Sequence, residues 1–235
     1  MKGADMWGQK VMAAPSLISC CDMCRLEESV KELERAGIRM LHIDILDGCF
    51  SPSMPLGLDM VRALRERTDL LFDVHLMVSK NDFFVEELLD IGVDQLVFHV
   101  ETEPHIDRRL AMIRDRGVRA GVALKPSTSL RSLDYIADQC DTILLMLINP
   151  GYAASRQEGQ VPYAAKKILD LRKMLSERGS KALIEIDGRV SRKDIADYGK
   201  NGIADIFVAG STCIEKRELY ESAKSLEQFC RNLRV

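Results

Sequence analysis

The chain has 235 residues, 46% of them hydrophobic and 29% charged, and carries a formal net charge of −3 at pH 7. That balance fits a globular fold with a sizeable core and gives no reason to expect nucleic acid or an acidic membrane surface as a partner. No apolar run is long enough to span a bilayer, and the first residues lack the apolar stretch of a signal peptide, so a cytoplasmic location is expected.

Taken in order, apolar runs predict strands at 11–18, 40–46, 70–78, 95–100, 119–125, 142–148, 182–187 and 205–210. Helical spacing fills the intervals. Leu26, Val30, Leu33 and Ala36 form the first such pattern. Phe84, Leu88 and Ile91 form another, followed by Ile106, Leu110 and Ile113. Ala165, Ile168, Leu169 and Leu175 mark the longest helix, and Leu219, Ala223 and Leu226 the last. Gly37, Gly92, Gly117 and Gly202 follow helical stretches and lead into the next strand, as glycines that end helices in a left-handed turn do. About eight strand-then-helix units with near-continuous apolar strands imply a (β/α)₈ TIM barrel, read as a single domain over residues 1–235. An open doubly wound sheet is the alternative, but no G-x-G-x-x-G follows the first strand.

The seven cysteines do not suggest a framework. Cys20, Cys21 and Cys24 cluster after the first strand and the rest are scattered, so small reduced side chains are expected.

Ionisable residues inside apolar strands carry the functional signal. Side chains of a strand alternate between faces, so His42, Asp44 and Leu46 share one face. A buried imidazole and carboxylate need a partner, a metal or a substrate to offset desolvation; a self-satisfied His–Asp pair is the plain alternative. The pattern recurs: His75 lies within a third strand, and Asp187 ends a seventh. A His42, Asp44, His75 and Asp187 set suits one divalent ion of the Zn, Mn, Fe or Co type better than a structural thiolate site does. In a barrel, reactive residues gather at the C-terminal strand ends, where glycines after late strands let backbone N–H groups approach a phosphate. The segments around Gly151 and around Gly210 with Ser211 are placed for that, with an ordinary tight turn as the alternative.

Together these segments resemble the ribulose-phosphate 3-epimerase family over residues 15–214. The likeness rests on Pro15-Ser16-Leu17-Ile18-Ser19, His42-Ile43-Asp44-Ile45-Leu46-Asp47-Gly48, Asp73-Val74-His75-Leu76-Met77-Val78, Pro150-Gly151-Tyr152, Glu185-Ile186-Asp187-Gly188 and Val208-Ala209-Gly210-Ser211. The resemblance implies a homo-oligomeric (β/α)₈ barrel that inverts carbon 3 of a ketose phosphate. D-ribulose 5-phosphate and D-xylulose 5-phosphate are the expected pair, with a six-carbon ketose phosphate such as D-allulose 6-phosphate as the alternative. It also implies His42, Asp44, His75 and Asp187 as metal ligands, and Asp44 and Asp187 as the paired acid and base working through an enediolate. Ser16 and His75 are implied substrate contacts. Gly151, Tyr152, Ala153, Ala154, Gly188, Arg189, Gly210 and Ser211 occupy the family's phosphate-binding positions, and Met77 and Met146 the apolar wall. The loop after strand six is less rich in glycine than is usual, and Arg189 stands where a second glycine is common. Two other classes compete: an aldolase or decarboxylase, for which Lys125 is the one strand-end lysine to consider, and a non-catalytic sugar-phosphate-binding barrel. Retention of both carboxylates argues against the last.

Overall fold

Eight parallel strands surround one axis: β1 (Met12–Pro15), β2 (Met40–Leu46), β3 (Leu71–Met77), β4 (Gln95–His99), β5 (Arg119–Leu124), β6 (Thr142–Met146), β7 (Leu183–Asp187) and β8 (Ile206–Ala209). The computed structural model describes residues 7–9, 11–151 and 158–233. Hydrogen-bonded neighbours run β1-β8-β7-β6-β5-β4-β3-β2, and a single parallel bridge from Ser16 to His42 brings the two ends of that order together. The expected (β/α)₈ barrel is therefore what the chain forms.

Most connections are helical. The helices Leu26–Arg35, Leu58–Arg65, Asn81–Ile91, Ile106–Asp115, Ala164–Arg178 and Leu219–Leu233 pack their apolar stripes against the outside of the barrel. Helix Asn81–Ile91 ends at Gly92, which adopts φ 82° and donates its N–H back to Leu88 and Leu89. An L side chain there would meet its own backbone, which is why the sequence places glycine at this turn. The β5–β6 connection departs from the pattern, with two short 3-10 turns, Leu130–Leu133 and Ala137–Gln139, in place of a helix. Pro126 and the Ser/Thr-rich run after it favour turns, and Ser129 caps the first by accepting the Arg131 N–H at 3.2 Å.

Strand β1 ends at Pro15, short of the expected run to 18. The Ser16 carbonyl accepts from Ser19 and Cys20, so the chain turns at once into the short helix Leu17–Cys20. Three aspartates repeat one device at the opposite end. Asp94, Asp141 and Asp205 stand just before β4, β6 and β8 and accept the N–H of Phe72, Ala120 and Ile184 at 2.8, 2.9 and 2.8 Å. Each carboxylate grips the second residue of the preceding strand, which helps fix strand register.

Strand register then sets what meets inside. His42 pairs with Asp73, Asp44 with His75, and Met146 with Asp187. The barrel floor is apolar, built from Met12, Ala14, Met40, Leu71 and Ile206. A polar layer lies above it, and the site above that.

Candidate active site and metal centre

The lower polar layer orients His42, the first imidazole of the candidate metal set. His42 is fully buried, and its Nδ1 donates to Asp73 Oδ2 at 2.7 Å. Asp73 also accepts Gln95 Nε2 at 2.7 Å, and Thr142 holds the Gln95 amide by donating to its oxygen at 2.6 Å. Glu185 lies beside them, 3.1 Å from His42 Nδ1. Burial and the neighbouring Asp73 charge push the Glu185 carboxyl far above the usual carboxylate range, so it stays protonated. Asp73 remains ionised: burial opposes this, but His42 and hydrogen bonds from Glu185 and Gln95 outweigh it. With Nδ1 committed to Asp73, His42 Nε2 faces upward, 3.3 Å from Asp44 Oδ1.

The upper layer completes the set. His75 Nδ1 lies 3.4 Å from Asp44 Oδ1 and 3.9 Å from Asp187 Oδ2. His42, Asp44, His75 and Asp187 each offer one ligand atom, all within 4.8 Å of one another. Of these buried atoms, His42 Nε2, Asp44 Oδ1 and His75 Nδ1 have no hydrogen-bond partner. Buried polar atoms are rarely left so, and three converging on one point fit a bound cation. Two imidazole nitrogens and two carboxylates are a donor set suited to a divalent transition metal.

The two carboxylates are held in different states. Burial would raise Asp44, but His42 and His75 reverse this and hold it below the usual range. Asp187 is pushed up to about 6, by burial first and then by the Asp44 charge. Ser16 donates to the second Asp44 oxygen at 3.2 Å, an outcome of the Ser16–His42 bridge that closes the barrel.

A cavity of about 370 Å³ opens above these groups. Ser16, Asp44, Asp187, Gly151, Gly188, Arg189, Gly210 and Ser211 all line it, and Met77 and Met146 form part of its apolar wall. His42 and His75 lie beneath, with no exposure of their own. The remaining expected phosphate contacts, Tyr152, Ala153 and Ala154, fall outside the described residues. Two glycines are required by close approach: a Cβ on Gly151 would sit 2.1 Å from Ser51 Oγ, and one on Gly188 2.9 Å from the Ile148 backbone nitrogen. Arg189 follows with φ 55°, a left-handed conformation that costs a non-glycine residue about 1–2 kcal/mol. Its Nε donates to the Glu158 carbonyl at 3.2 Å. Lys125 is not among the residues lining the cavity; its ammonium sits 4.0 Å over the Phe50 ring.

The cysteine cluster stays apart from this chemistry. None of the seven forms a disulfide, and burial first of all raises the Cys20 and Cys21 thiols, the latter to about 12. No candidate metal cluster among the described residues includes a cysteine.

Strand β4 and the 3-10 turn after it, Val100–Thr102, supply two residues that the sequence reading passed over. His99 Nε2 lies 3.0 Å from His75 Nε2, and His99 Nδ1 lies 2.9 Å from Glu101 Oε2. The signal was present: Gln95, Val97 and His99 share a strand face, which puts a third imidazole at a strand end.

Comparison with known proteins agrees with this geometry. The family model described as "Ribulose-phosphate 3 epimerase family" matches residues 12–214. The chain belongs to the ribulose-phosphate 3-epimerase family. Relatives named ribulose-phosphate 3-epimerase include one from Bacillus subtilis (strain 168), 37% identical over 86% of this chain and 91% of that protein. A second, from Synechocystis, is 38% identical over 86% of this chain and 87% of its own length. The chloroplastic ribulose-5-phosphate-3-epimerase of Arabidopsis thaliana is 36% identical over 92% of this chain and 76% of that protein. Solved structures further away share the fold alone. 3-Hexulose-6-phosphate synthase from Salmonella typhimurium superposes with a TM-score of 0.68 at 17% identity, covering 94% of this chain and 99% of that one. Among the described residues, no helix is long and apolar enough to cross a membrane.

Proposed function

We propose that this member of the epimerase family interconverts D-ribulose 5-phosphate and D-xylulose 5-phosphate with one divalent metal ion. The observation that carries the reading is the pair Asp44 and Asp187, lining one cavity beside three ligand atoms that lack partners. Their strands, β2 and β7, are separated by β1 and β8 around the ring, so the two carboxyls approach a bound sugar from different sides.

Inversion at carbon 3 requires a proton to leave one face and another to arrive at the opposite face. Asp44, held ionised by His42 and His75, suits the base; Asp187, with its raised pKa, suits the acid. The roles exchange for the reverse reaction. A divalent ion in the His42, Asp44, His75 and Asp187 set would supply Lewis acidity to the oxygens beside the reacting carbon when bound. Ser16 orients Asp44, and Met77 and Met146 present an apolar wall that limits water at the reacting carbon. Gly151, Gly188, Arg189, Gly210 and Ser211 also line the cavity and are the residues we assign to the phosphate. The names of the relatives favour the five-carbon substrate, and no feature of the cavity favours a six-carbon one. Among the described residues no lysine lines the cavity, which gives no support to Schiff-base aldol chemistry. The donor set leaves Zn, Mn, Fe and Co as candidates. A cytoplasmic, homo-oligomeric protein completes the proposal, tested by fractionation and sedimentation.

The deciding experiment is ¹H NMR of D-ribulose 5-phosphate and other ketose phosphates in heavy water. The expected result is deuterium at carbon 3 and formation of the 3-epimer, abolished by chelation and restored by metal. Exchange at a different carbon, or full activity after verified metal removal, would sink the proposal.

A further inference from the structure

We infer that His99 and Glu101 form a positioning pair that fixes the tautomer of His75, aiming the Nδ1 lone pair of His75 at the metal position. The inference rests on the metal-site reading above, and deepens it.

Glu101 stands at the acidic end of a chain of contacts that runs through His99 to His75. Glu101 Oε1 accepts the backbone N–H of Lys125 at 2.8 Å and the hydroxyl of Thr128. A carboxylate taken up by two donors in this way is an acceptor, and its other oxygen is left for His99. The hydrogen on His99 Nδ1 is therefore directed to Glu101 Oε2 at 2.9 Å. A neutral imidazole that donates through one nitrogen accepts through the other. His99 Nε2 then accepts from His75 Nε2 across 3.0 Å. With its hydrogen on Nε2, His75 presents a bare Nδ1 to Asp44 and Asp187.

Reversing any step spoils the site. A hydrogen on His99 Nε2 would force the His75 hydrogen onto Nδ1, where it would occupy the ligand position. The surroundings favour a neutral His99, and the Glu101 acceptor then selects the first arrangement. His99 is fully buried, and Phe50 packs on its ring at 4.6 Å between centroids. The Lys125 ammonium lies 4.0 Å over that same Phe50 ring, so a second positive charge on His99 would stand beside an existing one. The arrangement parallels the lower layer, where Asp73 does for His42 directly what Glu101 does for His75 through a second imidazole. Ligating histidines are held in this manner by an acceptor on their other nitrogen, and losing that acceptor costs about 10–100-fold in metal affinity.

The test uses the full-length protein without metal. Nitrogen-15 NMR of labelled histidines should show His75 with hydrogen on Nε2 and none on Nδ1. Zinc affinity, measured by competition with a chelator, should fall about 10–100-fold in His99→Leu. His99→Gln, whose amide can donate to Glu101 and accept from His75, should recover most of the loss; a purely structural role would not distinguish these two variants by polarity. Hydrogen on His75 Nδ1 in the wild type overturns the inference without reference to any variant. Equal zinc affinity in wild type and a folded His99→Leu overturns it as well. Wild-type protein that binds one zinc through His42 and His75 but exchanges no carbon-3 proton would sink the epimerase proposal while leaving the tautomer assignment standing.

Discussion

Asp44 Oδ1 lies 3.3 Å from His42 Nε2 and 3.4 Å from His75 Nδ1, so one carboxylate oxygen faces two imidazoles at once. Neither contact is a hydrogen bond, and all three atoms lack one. The spacing is that of ligands around a shared centre, and the predictions below follow from it.

Asp44→Asn and Asp187→Asn should each reduce carbon-3 exchange by at least about 100-fold, the low end of what a positioned acid or base contributes. Metal content must be measured on the same samples, since each residue is also in the donor set. Near-normal exchange in either variant with metal bound would refute the two-acid mechanism.

Metal affinity should fall as pH drops through about 6. The Asp187 carboxyl retains its proton up to about that pH in the metal-free protein, and coordination favours the ionised carboxylate. Below this point each bound ion displaces a proton, and titration calorimetry in buffers of different ionisation enthalpy should detect its release. The stability sign is opposite to that of an ordinary paired carboxylate. The folded pKa lies above the usual 3.8, so the native state binds more protons between 3.8 and about 6, and the metal-free fold loses stability as pH rises through that window. Asp187→Asn should remove the stability dependence and weaken that of metal affinity, leaving the part set by the histidine ligands.

Arg189→Ala should raise KM for a phosphorylated ketose far more than for the unphosphorylated sugar, because a guanidinium offers a planar fork of donors to phosphate. Equal effects on both substrates would mean that Arg189 does not hold the phosphate. Arg189→Gly should be more stable than Arg189→Ala by about 1 kcal/mol, since only glycine adopts this backbone conformation without cost. Chemical denaturation of the two variants checks the second point independently of activity.

Glu185→Gln should change thermal stability little at neutral pH, because an amide stands in for a carboxyl that is already protonated. Glu185→Ala should cost about 2–4 kcal/mol, through the cavity and the neighbours left unsatisfied. A large loss in the glutamine variant would show that Glu185 carries charge in the native state.

Strand positions and the four clustered His and Asp residues were legible from sequence because each signal is local: apolar runs, period two, and a glycine after the strand. Met40–Leu46 matched its expected bounds. The second tier of the site was harder to see. Asp73 and Glu185 sit two positions before His75 and Asp187, on the same faces, yet their partners Gln95 and Thr142 come from strands that carry no metal ligand. Only strand register reveals that these groups share a layer. His99 was missed for a related reason: its role depends on lying beside His75 across a strand boundary, which no spacing within one strand records. The turn-built β5–β6 connection was foreshadowed by Pro126 and the serines after it, although the strand–helix rhythm of the rest suggested a helix.

The bridge between Ser16 and His42 gives the barrel a clasp, and that clasp sits at its reactive end. Ser16 faces the cavity on one side of this join, and Asp44 faces it on the other. A guest that grips both draws the first strand against the second, so occupancy and ring closure reinforce one another. Amide protons along this join should therefore become the slowest-opening ones when the cavity is filled, and the ones that first exchange when it is emptied.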